Sequence, residues 1–191
     1  MNYAVLLTIC IALVTAILQG CTAAVVAGAA GGATVAHDRR TAGRFVDDQT
    51  LELKAEGRIR EDKSLHNVRV NVTSMNGIVL VTGEAPTKAL RNRALAHIRS
   101  VEGVRRIHNH IRLAKRRSFD DLTHDKWVTT KIKTKQTTKK GADPTRVKVV
   151  TSNSVVYLMG LVTRKEADAS TSIARETKGV IKVVRLFEYI D

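Results

Sequence analysis

The sequence predicts an α+β protein built from two copies of one small unit, each running helix, strand, strand, helix, strand. Three observations predict it: an internal repeat, two turn signals that each divide a pair of β-rich runs, and apolar residues at helical spacing beside each pair. Asp47-Asp48-x-Thr50 returns as Asp120-Asp121-x-Thr123, an offset of 73, and Ile59 maps onto Ile132 in the same register. Val70-x-Val72 returns as Val147-x-Val149, Asn76 as Asn153 and Gly83 as Gly160, all at 77. The change of offset reads as a four-residue insertion around Lys140-Gly141-Ala142-Asp143-Pro144. Gly103-Val104 matches Gly179-Val180 at 76, which reads as one residue lost in the second helix.

The elements follow in order. Leu51, Ala55 and Ile59, at i, i+4 and i+8, give the first helix its apolar stripe, and Val128 and Ile132 do the same in the second copy. A hairpin comes next, Val68 to Thr73 and Ile78 to Gly83, around Asn76-Gly77, a pair that tolerates both left-handed positions of a type I′ turn. Its counterpart runs Arg146 to Thr151 and Val155 to Gly160 around Asn153-Ser154. The second helix is opened by Pro86, or by Thr163 as a cap, and ends before Gly103 or Gly179. Val104 to Leu113 and Val180 to Ile190 supply the last strands. Gly83 and Gly160 end equivalent strands, where a tight backbone approach or a special dihedral calls for glycine, so both are expected to be structural. A unit of about 70 residues has a marginal core, so two units packed together are expected.

Ahead of the repeat, Tyr3 to Leu18 is an uncharged apolar run, short for a membrane span and suited to an export signal. Leu18-Gln19-Gly20-Cys21 resembles the lipobox of bacterial lipoproteins, which predicts a signal over residues 1–20 and acylation of Cys21. Removal of Cys10 with the signal leaves Cys21 unpaired in an oxidising compartment, and acylation removes that liability. At about 0.8 kcal/mol per buried methylene, the two or three chains of a lipoprotein hold it almost permanently. The Ala, Gly, Val and Thr stretch from Thr22 to Ala36 reads as a tether within residues 21–45.

The 32 Lys and Arg outweigh the 18 Asp and Glu by 14 charges, and none of these lies in the first twenty residues. For an exported protein the matching partners are anionic headgroups and acidic envelope polymers, and nucleic acid is not expected. The glycines at 28, 31 and 32 are no phosphate loop, since no strand precedes them and no Lys-Ser/Thr pair follows. No Gly-x-Ser-x-Gly elbow, acid dyad or activated cysteine is visible, so no catalytic residue and no enzyme is expected. His108-x-His110 projects two rings from one strand face, but no carboxylate or cysteine at suitable spacing completes a set, so neither metal nor cofactor is expected.

The hairpin strands ending in glycine, and the second helix followed by Gly-Val, resemble the BON domain of bacterial osmotic-stress and envelope proteins. The resemblance covers Val46 to Lys115 and Phe119 to Asp191, and with the lipobox it extends to the dual-BON outer-membrane lipoproteins. Its distinctive strings are Val-Asp-Asp-x-Thr-Leu-Glu (Val46 to Glu52), Trp-x-Thr-Thr-Lys (Trp127 to Lys131) and Leu-Met-Gly-Leu-Val-Thr (Leu158 to Thr163). It implies a three-stranded mixed sheet packed on two helices in each module, placement on the periplasmic face of the outer membrane, and a role in membrane integrity and at division sites. It further implies that the second module, rather than the first, binds anionic phospholipid. Thr22 rather than Asp after the acylated cysteine agrees with onward export to the outer membrane.

The repeat itself provides a test of which positions face water. In the register of 73, Trp127 pairs with Lys54, and a position that takes lysine in one copy is a poor core position in the other. Trp127, the single tryptophan, is therefore expected at the surface. On a helix Thr123, Trp127, Thr130, Lys131, Thr134 and Thr138 share one stripe, about a third of a turn from Val128 and Ile132, with Lys126, Lys133, Lys135, Lys139 and Lys140 flanking it. An indole belongs at the headgroup boundary and ammonium groups meet phosphates there, each worth on the order of 1 kcal/mol. The expected ligand is phosphatidylglycerol or cardiolipin, on Thr123, Trp127, Thr130, Lys131, Lys133, Thr134, Lys135 and Thr138. Two alternatives stay open: Trp127 packed between the modules with the lysines merely solvated, and a protein adaptor docking on outer-membrane assembly machinery through sheet edges or the first module.

Overall fold

A computed structural model describes residues 41–115, 118–139 and 141–191, which fall in one compact unit, Asp38–Asp191. The signal, Cys21, the tether from Thr22 to Ala36, and Lys140 lie outside the described residues. Two modules follow one another. The first holds α1 (Ala42–Glu61), a single 3-10 turn (Lys63–Leu65), β1 (Arg69–Met75), β2 (Ile78–Ala85), α2 (Lys88–Arg99) and β3 (Arg106–Leu113). The second holds α3 (Phe119–Thr138), β4 (Lys148–Ser152), β5 (Val155–Val162), α4 (Arg164–Arg175) and β6 (Lys182–Tyr189).

Local chemistry explains these boundaries. Asn76 and Gly77 take φ of 54° and 74°, and Asn153 and Ser154 take 54° and 58°, the paired left-handed residues that let a two-residue turn match strand twist. Thr41, Thr87, Ser118 and Thr163 cap the four helices by accepting a bond from a backbone N–H three residues on. Thr163 and Glu166 complete a reciprocal capping box. Thr87, not Pro86, is the cap of α2; proline is the residue before it.

In each sheet the middle strand pairs antiparallel with its hairpin partner and parallel with the strand that returns after the helix, giving two mixed sheets ordered β1-β2-β3 and β4-β5-β6. Alternate residues then reach opposite faces. Val79 and Val81 enter a core with Leu51, Ala55, Ile59, Leu95 and Ile98, and Val156 and Leu158 enter a second with Val128, Ile132 and Ile173. The other faces meet each other: Met75, Ile78 and Leu80 pack on Tyr157 and Met159. All eight residues of β2 are buried for this reason.

Polar contacts pin this sheet-to-sheet joint near-symmetrically. Asn76 Nδ2 donates to Glu188 Oε2 at 2.8 Å, and Arg112, the residue equivalent to Glu188, donates to the Asn153 side chain. Lys148 Nζ bridges Glu52 Oε1 at 2.7 Å and the Ser74 carbonyl at 3.1 Å. The His110 ring meets that of Tyr157 at a tilt of 57°, with centroids 4.6 Å apart.

The structure corrects the repeat. Helices α1 and α3 are both 20 residues long and start 77 apart, so the offset of 77 holds from the first helix through the hairpin and no insertion exists around Lys140. The buried carboxylate of Asp48 grips the first hairpin turn, accepting from Asn76 N at 2.7 Å and Gly77 N at 2.9 Å. Asp125, not Asp121, does the same for Asn153 N and Ser154 N, both at 2.9 Å. The missing residue is lost from the loop before α4, since α2 and α4 both have 12 residues. Gly83 and Gly160 lie inside β2 and β5, two residues short of their ends, and the last strands start at Arg106 and Lys182 rather than at Val104 and Val180. A Cβ on Gly83, where φ is +125°, would stand 2.0 Å from the Arg69 carbonyl oxygen, and one on Gly160 would stand 2.5 Å from that of Arg146.

Candidate functional site: the outer face of helix α3

Helix α3 turns four positions inward, the first of them Asp125. Val128, Ile132 and Gln136 are buried, while Thr123, Trp127, Thr130, Lys133, Thr134, Lys135 and Thr138 are exposed and Lys131 is half-buried. Trp127 retains 47 % of its surface, so the arrangement in which it packs between the modules is not the one adopted. With the true offset its counterpart is Thr50, also exposed, one helical turn from Lys54; the expectation of exposure held although the residue pairing behind it did not.

The predicted residues form a graded surface rather than one cluster. Lys131 Nζ sits 3.7 Å from the Trp127 ring centroid, a cation–π contact that fixes the indole and keeps the ammonium beside it. The His124 ring lies 6.0 Å from the indole on the next turn. Thr130 and Thr138 donate to helix carbonyls, Lys126 O and Lys135 O, which satisfies their hydroxyls without a ligand. Lys135 leans toward the end of α4, where its Nζ meets Thr177 Oγ1 at 3.3 Å, and Lys139 pairs with Glu176 at 3.7 Å. Bonds from Ser172 and the Lys139 charge hold the Glu176 carboxyl below its ordinary range. On the other flank Thr123, Lys126 and Thr130 border a groove of about 960 Å³ that Arg69 and Asn71 of the first module share.

Sequence reasoning missed His124 and Asp125, because the register of 73 paired them with Leu51 and Glu52, which play other parts. At 77, His124 answers Asp47 and Asp125 answers Asp48, so the same pairing would have found both. His108 and His110 do project from one face of β3, into the joint between the sheets, where burial lowers both imidazole pKa values. Among the described residues no group of three or more His, Cys, Asp or Glu could hold a metal ion, and no helix is long and apolar enough to cross a membrane.

Two mixed-sheet modules of this order, one of them presenting an indole among lysines, define a tandem α+β protein of a known kind. The chain belongs to the BON-domain family, whose model matches residues 47–115 and 124–191. It is a DolP-like dual-BON lipoprotein, anchored by lipid at the outer membrane: it is 40% identical over 178 residues, 93% of this chain and 92% of the relative, to Outer membrane lipoprotein DolP of Haemophilus influenzae (strain ATCC 51907 / DSM 11121 / KW20 / Rd). A protein named 21 kDa hemolysin from Actinobacillus pleuropneumoniae is 36% identical over 80% of this chain and 79% of its own length. Osmotically-inducible protein Y of Escherichia coli (strain K12) is 28% identical over 74% of this chain and 72% of its own length.

Proposed function

We propose that this lipoprotein is non-enzymatic, that Cys21 carries its acyl chains, and that the outer face of α3 reads anionic phospholipid, phosphatidylglycerol or cardiolipin, in support of outer-membrane integrity, including at division sites. The observation that carries the reading is the half-exposed Trp127 ring with the Lys131 ammonium 3.7 Å from its centroid. An indole so placed gains from the apolar side of the headgroup layer, while Lys126, Lys131, Lys133 and Lys135 gain from its phosphates. Four such lysines at about 1 kcal/mol each give about 4 kcal/mol, binding in the millimolar range that salt weakens and that the indole strengthens.

The test uses residues Asp38–Asp191, which contain all three apolar clusters and neither cysteine, so that no acyl chain supplies affinity. Flotation with phosphatidylglycerol-containing vesicles is expected to carry the fragment up and flotation with neutral vesicles is not. Trp127→Glu is expected to abolish the effect. Equal flotation of wild type and Trp127→Glu would remove α3 as the lipid face.

One observation favours a second reading, a protein adaptor. Val46 and Leu53 on α1 are 60% and 70% exposed, and a Cβ added at Gly57, one turn beyond Leu53, would meet nothing within 4 Å. A photocrosslinker at Leu53 in intact envelopes is expected to trap an outer-membrane assembly protein under this reading. Capture unaffected by Trp127→Glu would assign the two faces to separate tasks.

A further inference from the structure

The most exposed large apolar side chain among the described residues is Ile181, 82% accessible, and it stands in the loop from α4 to β6 rather than on α3. Exposed lysines bracket it at Lys178 and Lys182. This loop adjoins the proposed lipid face: a Cβ on Gly179 would come within 3.2 Å of the His124 ring, itself 6.0 Å from Trp127. It is also held in shape, because Ile181 N donates to the Ser154 carbonyl at 2.9 Å and Ser154 N donates to Asp125. Its turn is built on Gly179, whose φ is +98°.

The first module shows that this isoleucine is not a requirement of the fold. Glu102-Gly103-Val104-Arg105-Arg106 occupies the equivalent loop, and Arg105 N makes the equivalent bond to the Gly77 carbonyl at 2.8 Å. There the residue in the place of Ile181 is an arginine that reaches Glu188 and the Asn76 carbonyl. The second module has exchanged a paired polar side chain for a bare apolar one, and the acid at 102 for the lysine at 178. An isoleucine that contacts little of its own chain adds nothing to the core and costs solubility; between two lysines it suits one surrounding, the boundary between anionic headgroups and acyl chains.

We infer that the α4–β6 loop, Lys178 to Lys182, is a second membrane-contact element in which Ile181 inserts into an anionic bilayer beside Trp127. The inference rests on the lipid reading of α3 and extends it from one helix face to a two-point footprint. Two apolar anchors on separate elements fix the tilt of the module on the surface, which a single indole does not.

The experiment labels Ile181→Cys in the cysteine-free fragment Asp38–Asp191 with an environment-sensitive nitrobenzoxadiazole probe and adds phosphatidylcholine vesicles with and without phosphatidylglycerol. The probe is expected to brighten, shift to the blue and become quenchable by lipids spin-labelled near the headgroup, only when phosphatidylglycerol is present. In parallel, Ile181→Ser is expected to weaken vesicle partition about tenfold, with an unchanged melting curve because the side chain packs on so little. A probe that stays in water while Trp127 emission shifts to the blue would overturn the loop contact and leave α3 standing. Unaltered partition of Ile181→Ser would overturn it as well. No blue shift at either position, with no binding, would end both readings together.

Discussion

Helices α1 and α3 are the same helix used twice, equal in length and each holding its hairpin with a buried aspartate, yet their outer faces carry opposite chemistry. Where α3 and its neighbouring loop present His124, Trp127 and Lys178, the first module presents Asp47, Thr50 and Glu102. Lys54 and Lys131 are shared. In the first module these residues surround a cleft of about 270 Å³ whose charges are mixed, Arg44 and Lys54 against Asp47 and Glu102. Two acids near the same lysine cancel the attraction of that lysine for phosphate, so selectivity for one module needs no difference in fold. On the proposed reading it follows from a handful of side chains on a common frame.

The largest expected effect comes from exchanging those side chains. Trp127→Thr should lower partition onto anionic vesicles about thirtyfold, the burial of one indole being worth roughly 2 kcal/mol. Thr50→Trp alone should restore little, because Asp47 and Glu102 still repel the surface. Adding Asp47→His and Glu102→Lys should recover most of the binding, read by sedimentation with vesicles. Failure of the triple variant to recover any would show that something other than these positions distinguishes the modules.

A smaller effect separates the two cores. The last buried position of α1 is Ile59, and its counterpart on α3 is Gln136, which is buried with neither side-chain amide atom hydrogen-bonded among the described residues. An unpaired buried amide costs about 1–3 kcal/mol, so Gln136→Ile should raise the stability of the chain by about 1–2 kcal/mol in urea denaturation. No gain would mean that the amide is satisfied after all.

The smallest concerns the strands that close each sheet. The joint-facing His108 and His110 of β3 are answered by Val184 and Leu186 in β6. Burial depresses both imidazoles, helped by Arg106 at His108 and by the other histidine and Lys182 at His110. In the unfolded chain both take up protons near pH 6.5, while the folded chain resists until lower pH. Stability is therefore complete above that value and falls as pH drops through it toward the depressed folded values. A loss of stability as pH falls through about 6.5 is expected, read by urea denaturation at a series of pH values, and His108→Val with His110→Leu should flatten the curve.

How much of this was legible depended on how local each signal is. Asn76-Gly77 marks its turn without help from elsewhere, and Leu51, Ala55 and Ile59 carry a clean apolar stripe. Helix α3 is harder to read, because Gln136 interrupts the same stripe and threonines fill the faces on either side. The register failed for a related reason: Asp47-Asp48 and Asp120-Asp121 look alike in the chain, but the aspartate that matters is the one whose carboxylate reaches a turn 28 residues away. That choice is made by tertiary hydrogen bonds. Ile181 was invisible for the same reason, since one apolar residue in a loop says nothing until its surroundings are known.

The joint between the sheets has a consequence for how the two halves can exist. Synthesised separately, each half would carry an oily plate, with Leu80 on one and Tyr157 and Met159 on the other, facing water with no cover. Nothing stops such a plate from closing on its own likeness, so a severed half would form twins or clump rather than stay single. The tandem arrangement supplies the correct mate on the same polypeptide, at a local concentration no free half could match.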